Sequence, residues 1–185
     1  MIAAVVLAAG ASRRLGQPKQ LVELAGEALL RRVVRLALEA GFGPVVVVLP
    51  GNPAPYLASL EGLAVQVCPN PQAAEGMGAS IRAGVAALPV TTEGVLLLTV
   101  DQVAVDAALL RRLAEAFEGG GRAVACAYDG RLGIPAIFPW SAFPGLLTCK
   151  GDQGARALLA GAVAVPFPRG GEDLDTPEDL ARFTR

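Results

Sequence analysis

The chain has no histidine, and that absence removes the commonest side-chain chemistry of neutral pH. Ser-His-Asp and Cys-His nucleophile systems, imidazole metal sites and a histidine general base are all excluded. Lysine is almost as scarce: of 16 basic residues only Lys19 and Lys150 are lysines, and arginine supplies the rest. Three cysteines, Cys68, Cys126 and Cys149, stand too far apart for a CxxC redox pair or a zinc knuckle. An odd number also argues against a disulfide framework, so the reducing cytoplasm is the expected setting. No charge of one sign dominates, with 16 basic against 17 acidic residues, so neither nucleic acid nor a membrane surface is an expected partner. The charge-free stretch 40–60 has membrane length but contains Pro44, Pro50, Pro53 and Pro55, which a spanning helix would not tolerate. The apolar start Ile2–Ala9 has its arginines, Arg13 and Arg14, after it rather than before it, which reads as a buried strand and not a secretion signal. Catalysis must therefore run on carboxylates, arginine, one of two lysines, backbone amides or a metal held by oxygen.

What is present is apolar. At 53% hydrophobic and 18% charged, 185 residues can build a sizeable core, and a single domain over 1–185 is expected. Continuous runs rich in valine and leucine stand at Ile2–Leu7, Val45–Leu49, Leu63–Val67, Val95–Val100 and Ala123–Ala127, as in central parallel strands covered on both faces. Helical spacing fills the intervals. Leu29, Leu30, Val33, Val34, Ala37 and Leu38 define one helix within Glu27–Ala40, stopped by Gly41. Asp106 caps another through Leu109, Leu110, Leu113 and Phe117, ended by Gly119–Gly121.

This alternation predicts an α/β fold of three layers, doubly wound on a mostly parallel sheet. After Tyr128 the rhythm changes to short pieces, Ile134–Phe138 and Ala162–Val165, around a helix over Asp152–Ala160, which predicts a small antiparallel C-terminal addition on the same core. In such sheets ligands bind beyond the carboxyl ends of the strands, so the loops after the runs are where chemistry is expected.

The first of these loops, Leu7 to Lys19, combines small residues with Arg13, Arg14 and Lys19. Small residues let backbone N–H groups approach phosphate oxygens, and the cations offset their charge. The loop is neither a Walker A nor a GxGxxG sequence, and a tight turn with solvated arginines has the same composition. Gly76, Met77, Gly78 and Ser80 stand at a helix mouth, where free N–H donors suit an anion. Asp101 ends a buried strand, where a carboxylate can hold Mg²⁺ and through it substrate phosphates. Thr176-Pro177 makes a helix start, with Glu178 and Asp179 suited to its positive end.

With these residues in place, the loop from Leu7 through Ala8, Ala9, Gly10 and Ser12 to Pro18-Lys19 resembles the signature of nucleoside-triphosphate transferases, a Rossmann-like nucleotidyltransferase fold. Asn70 to Gly84, Asp101-Gln102 and Asp173 to Leu180 resemble further motifs of the molybdenum cofactor cytidylyltransferase-like branch. The resemblance implies nucleotide binding by Leu7, Ala8, Ala9, Gly10, Ser12, Arg13, Lys19, Asn70, Gly76 and Ser80. It implies Arg13, Lys19 and Asp101 as the catalytic residues, and Mg²⁺ held by Asp101 and Asp175, with Asp173 the alternative second ligand. Two positions depart from the branch: Val103 stands where proline is usual, and Ile134 where a polar residue, often histidine, is usual between Gly133 and Pro135. Gly133 to Phe138 and Lys150 to Arg156 resemble the acceptor-side motifs, with Lys150 and Arg156 as phosphate contacts.

The implied reaction transfers CMP from CTP, favoured over GTP, to molybdopterin or its molybdenum-bearing form, expelling pyrophosphate. A molybdoenzyme or its chaperone is the implied protein partner. A nucleotidyltransferase for a sugar-1-phosphate or other phosphorylated acceptor, and a non-catalytic molybdenum cofactor carrier, remain alternatives.

Overall fold

In a computed structural model, described over residues 1–117 and 121–184, the valine and leucine runs become one seven-stranded sheet. The elements in chain order are β1 (Ile2–Leu7), β2 (Glu23–Leu24), β3 (Glu27–Ala28), α1 (Leu29–Glu39), β4 (Val45–Pro50), α2 (Leu57–Leu60), β5 (Val65–Asn70) and α3 (Met77–Ala86). There follow β6 (Gly94–Thr99), α4 (Ala107–Ala116), β7 (Val124–Tyr128), β8 (Arg131–Pro139), α5 (Phe143–Leu146), β9 (Val163–Pro166) and α6 (Pro177–Phe183). The strand order is β5-β4-β1-β6-β8-β7-β9, and β2-β3 form a separate two-stranded hairpin.

The β1, β4, β5 and β6 pairings are all parallel. β8 runs antiparallel to both β6 and β7, while β9 is again parallel to β7. The expected antiparallel addition is thus one strand set inside the sheet, and the fold is the doubly wound one its alternation predicted.

Both faces are covered because successive strand side chains point to opposite sides. Ala4 and Val6 of β1 join Val45, Val47, Leu96 and Leu98 under α1 and α4, represented by Leu30, Val34, Leu110 and Leu113. Val5 and Leu7 join Val46, Val48, Val95 and Leu97 under α3 and α5, through Ile81, Val85 and Leu146. Gly84 is what lets α3 lie so close on β1, because a Cβ there would collide with Val5 and Val48 side chains. Every central strand is therefore buried on both sides, which is why these runs do not alternate.

Several expected boundaries move. The third strand runs over Val65–Asn70 rather than Leu63–Val67, and the fifth over Val124–Tyr128. Glu27 and Ala28 belong to β3, so α1 starts at Leu29. Asp152–Ala160 is not an α-helix: turns lead into a 3-10 segment at Arg156–Leu159, with Gly151 and Gly154 at positive φ. Asp106 does cap α4, its carboxylate accepting from Leu109 N at 2.7 Å. That helix ends at Ala116, and Gly119 and Gly120 of its expected stop lie outside the described residues.

Candidate active site

At the carboxyl end of β1 the chain leaves the sheet at Leu7 and runs through a 3-10 turn at Lys19–Leu21 into the β2-β3 hairpin. Gln20, almost wholly buried, folds its amide back under the loop and donates to the carbonyls of Ala8 (2.6 Å) and Gly10 (3.0 Å). Ser12 takes a left-handed conformation, and its hydroxyl accepts from Lys19 N at 3.0 Å, closing the loop on itself. Leu15 anchors the far side in a small cluster with Val22, Leu29 and Leu174. The loop is thus held as a fixed cradle, which lowers the ordering cost of binding.

This cradle forms one wall of a cavity of about 370 Å³. Of the expected nucleotide residues, Leu7, Ala9, Gly10, Ser12, Arg13, Lys19, Gly76 and Ser80 line it, and so does Asp101. Ala8 and Asn70 do not. Ala8 is buried and spends its carbonyl on Gln20. Asn70 is buried behind the wall, its amide donating to Ser80 Oγ at 3.2 Å and its carbonyl side accepting from Gln72 N, so it orients Ser80 and the turn.

The opposite wall is the start of α3. Gly76 has a φ of 101°, and a Cβ there would lie 2.6 Å from Asp152 Oδ1. Gly78 donates its N–H to Gly151 O, and its Cβ would lie 2.7 Å from Lys150 N. Both glycines are therefore required by close approach to the 149–152 segment, a structural reason for their spacing beyond a softened helix start.

Lys19 is 8% exposed, and its ammonium donates to Asp101 Oδ2 at 3.0 Å and to Asp175 Oδ1. Burial pulls its pKa down, but the charge of Asp101 and the hydrogen bonds to Asp175 and Asp101 outweigh this and hold it above 10.5. Arg14 caps the row by donating to the other oxygen of Asp175. The sequence places Arg14 in the loop as one of its cations without a partner; that partner is Asp175, which only the fold supplies. Gln20 was missed for a similar reason, being an ordinary polar residue until its two carbonyl partners are seen.

The segment bearing Asp175 is held by backbone pairing to the tip of β6: Leu174 N donates to Asp101 O at 2.9 Å, and Gln102 bridges Asp173. Thr176 and Asp179 form the reciprocal cap of α6, with Pro177 first in the helix, so Asp179 is structural as expected. Asp173 is the strained member. Burial, then the charges of Asp101 and Asp175, push its pKa up from 3.8 to about 6, and its Oδ1 is buried without a partner. A carboxyl whose folded pKa is raised binds more protons folded than unfolded between these values, so folded stability falls as pH rises through that window. Asp173→Asn should therefore stabilise the metal-free protein at pH 7 by about 1 to 3 kcal/mol, and the gain should vanish near pH 4. Chemical denaturation at both pH values checks this, and an equal effect at both would refute it.

A second cavity of about 360 Å³ adjoins the first, sharing Leu7, Met77 and Asp152 with it. Its lining is largely apolar, including Ile81, Leu97, Phe138 and Leu159, with Arg131 and Arg156 as its cations. The expected acceptor-side residues Gly133, Ile134, Phe138, Asp152 and Arg156 meet here. Lys150 does not; it lies with Arg82 and Thr148 in a separate shallow depression.

A doubly wound sheet with a small-residue loop at the end of its first strand and a buried lysine between two carboxylates is the architecture of a nucleotidyltransferase. The chain matches the MobA-like NTP transferase domain over residues 4–166 and belongs to that family. It is 33% identical to a molybdenum cofactor guanylyltransferase of Rhodobacter capsulatus over 98% of this chain and 94% of that protein. It is also 33% identical to the purine catabolism protein PucB of Bacillus subtilis (strain 168), covering 98% and 95%. Among solved structures, Rv0371c from Mycobacterium tuberculosis H37Rv in complex with manganese superposes with a TM-score of 0.77 at 28% identity, covering 99% of this chain and 97% of that one.

Proposed function

We propose that this protein is a Mg²⁺-dependent nucleotidyltransferase, one domain over residues 1–185, that transfers CMP from CTP to molybdopterin or its molybdenum-bearing form. The observation that carries this reading is the pair of adjoining cavities, one a cationic small-residue cradle and the other apolar with two arginines, meeting at Leu7, Met77 and Asp152. A triphosphate in the first cavity faces Arg13 and Lys19, and an acceptor in the second can bring its terminal phosphate to the shared edge. The acceptor oxygen then bonds to the α-phosphorus as the α–β bridging bond breaks and pyrophosphate leaves. The attacking phosphate is already ionised near neutral pH, so the chemistry needs alignment and charge neutralisation more than a base. A chain without histidine suits that requirement.

The residues fit a divalent cation. Asp101 and Asp175 already converge on a point that a cation, the Lys19 ammonium, occupies. Among the described residues no group of three or more His, Cys, Asp or Glu side chains could hold a metal, so the two carboxylates would need substrate oxygens and water beside them. Asp101 and Asp175 would hold the ion, which would offset the charge of the phosphates. The manganese complex of the mycobacterial neighbour supports a divalent ion here.

The preference for CTP rests on the resemblance of Leu7 to Gly10 and Pro18-Lys19 to the cytidylyl branch, and the R. capsulatus relative named for guanylyl transfer makes GTP the direct rival. Three free cysteines support a reducing cytoplasm, and no helix among the described residues is long and apolar enough to cross a membrane. Incubation with molybdopterin, Mg²⁺ and CTP or GTP, followed by mass spectrometry, tests the reading. A product carrying CMP supports it; one carrying only GMP moves it to the guanylyl branch; none with either defeats it.

A further inference from the structure

The mechanism above leaves Gln102 unused, yet this side chain is buried beside the carboxylate row. Its backbone bridges Asp173, while its amide points the other way. Nε2 donates to Ile134 O at 2.9 Å and to Gly170 O at 3.1 Å. Two carbonyl partners fix which end of the amide is the donor. Ile134 belongs to the wall of the second cavity, and Gly170 starts the run that carries Asp173 and Asp175. One amide therefore joins the tip of β6, the acceptor wall and the second carboxylate segment.

Tyr128 completes the joint. Its hydroxyl donates to the same Ile134 carbonyl at 3.1 Å, so both lone pairs of that oxygen are used. The ring lies where Cβ atoms on Gly133 and Gly170 would stand, and Phe167 meets it edge-on. Glycine at those two positions is what admits the ring. Substitution at Ile134 thus changes the side chain in the cavity while its backbone stays pinned from two sides.

We propose that Gln102 is a positioning residue that sets the acceptor wall at Ile134 against the Asp101 and Asp175 segments, and so governs how the acceptor's phosphate meets the α-phosphorus. The inference rests on the two-cavity reading but not on molybdopterin as the acceptor. Reaction rates respond steeply to misplacement of a reactant, so a shift of this wall reads out on the acceptor before it reads out on the nucleotide.

The test uses Gln102→Met, which keeps length but removes both donors, Tyr128→Phe, and the two combined, with whichever phosphorylated acceptor supports pyrophosphate release. Expected are a nucleotide Kd within about twofold of wild type and an acceptor kcat/KM lowered about tenfold to a hundredfold in Gln102→Met, as befits two lost hydrogen bonds. Tyr128→Phe should lose about threefold to tenfold. The double variant should fall below the product of the two, because Ile134 O then loses its last donor. Nucleotide affinity and acceptor kcat/KM falling together, or a double variant equal to the product, would overturn the proposal. Should Gln102→Met fail to fold, Tyr128→Phe carries the test, because it removes the other donor to Ile134 O and should give the same acceptor-specific loss in smaller measure. Turnover with another acceptor but not molybdopterin would sink the molybdopterin reading and leave this comparison intact.

Discussion

Lys19→Ala is expected to lower kcat about a hundredfold to a thousandfold, the range seen when one preorganised charge stabiliser is removed. The side chain is buried, fixed by two carboxylates and lodged in the wall of the triphosphate cavity, so it is already in position before nucleotide arrives. The same substitution should cost stability. It leaves Asp101 and Asp175 without their shared ammonium, and breaking such a partly buried network costs about 1 to 4 kcal/mol. The sign with pH follows from a raised lysine pKa: the contribution is complete below 10.5 and is lost as pH rises through the folded value. Wild type and Lys19→Ala should therefore differ in denaturation midpoint throughout the neutral range and converge at strongly alkaline pH. Equal kcat in steady-state turnover would remove Lys19 from the mechanism.

Asp101→Asn is expected to lower kcat by a similar factor, about a hundredfold or more, but with the opposite stability signature. The fold uses the backbone of Asp101, whose carbonyl accepts from Leu174, and its carboxylate as an acceptor for Lys19, a role an amide oxygen keeps. The amide keeps the shape and removes one of the charges that raise the pKa of Asp173, so the melting temperature should hold or rise. Activity should also lose its steep dependence on Mg²⁺ concentration. The two variants thus separate: Lys19→Ala loses rate and stability, whereas Asp101→Asn loses rate alone. A Mg²⁺ titration of Asp101→Asn that overlays wild type would show that the carboxylate holds no metal.

The parts of this protein that were legible in its sequence are those set by local pattern. Ile2–Leu7 and Val95–Val100 read as buried strands because burial on both faces demands continuous apolar residues, and Asp106 read as a cap because its partner lies three residues away. Asp101 was found because it stands at the end of such a run. Contacts over long separations were invisible. Gln20 and Gln102 are ordinary glutamines until carbonyls 12 and 32 residues away are brought to them. Arg14 gained its place only when the segment before α6, held at Asp101, brought Asp175 to it, and Asn70 proved to support Ser80 from behind the wall. The expected helix over Asp152–Ala160 failed for a tertiary reason as well: positive φ at Gly151 and Gly154 breaks it into turns, which brings Asp152 against Gly76.

The absence of histidine and the scarcity of lysine now have a common account. A reaction whose nucleophile arrives ionised needs no imidazole, and one of the two lysines is the buried cation between the carboxylates. Pyrophosphate release by the wild-type protein, measured with each of the four nucleoside triphosphates and Mg²⁺, with and without molybdopterin, tests this account most directly. It predicts release that requires molybdopterin and is fastest with CTP. Release from no triphosphate under any of these conditions would contradict it.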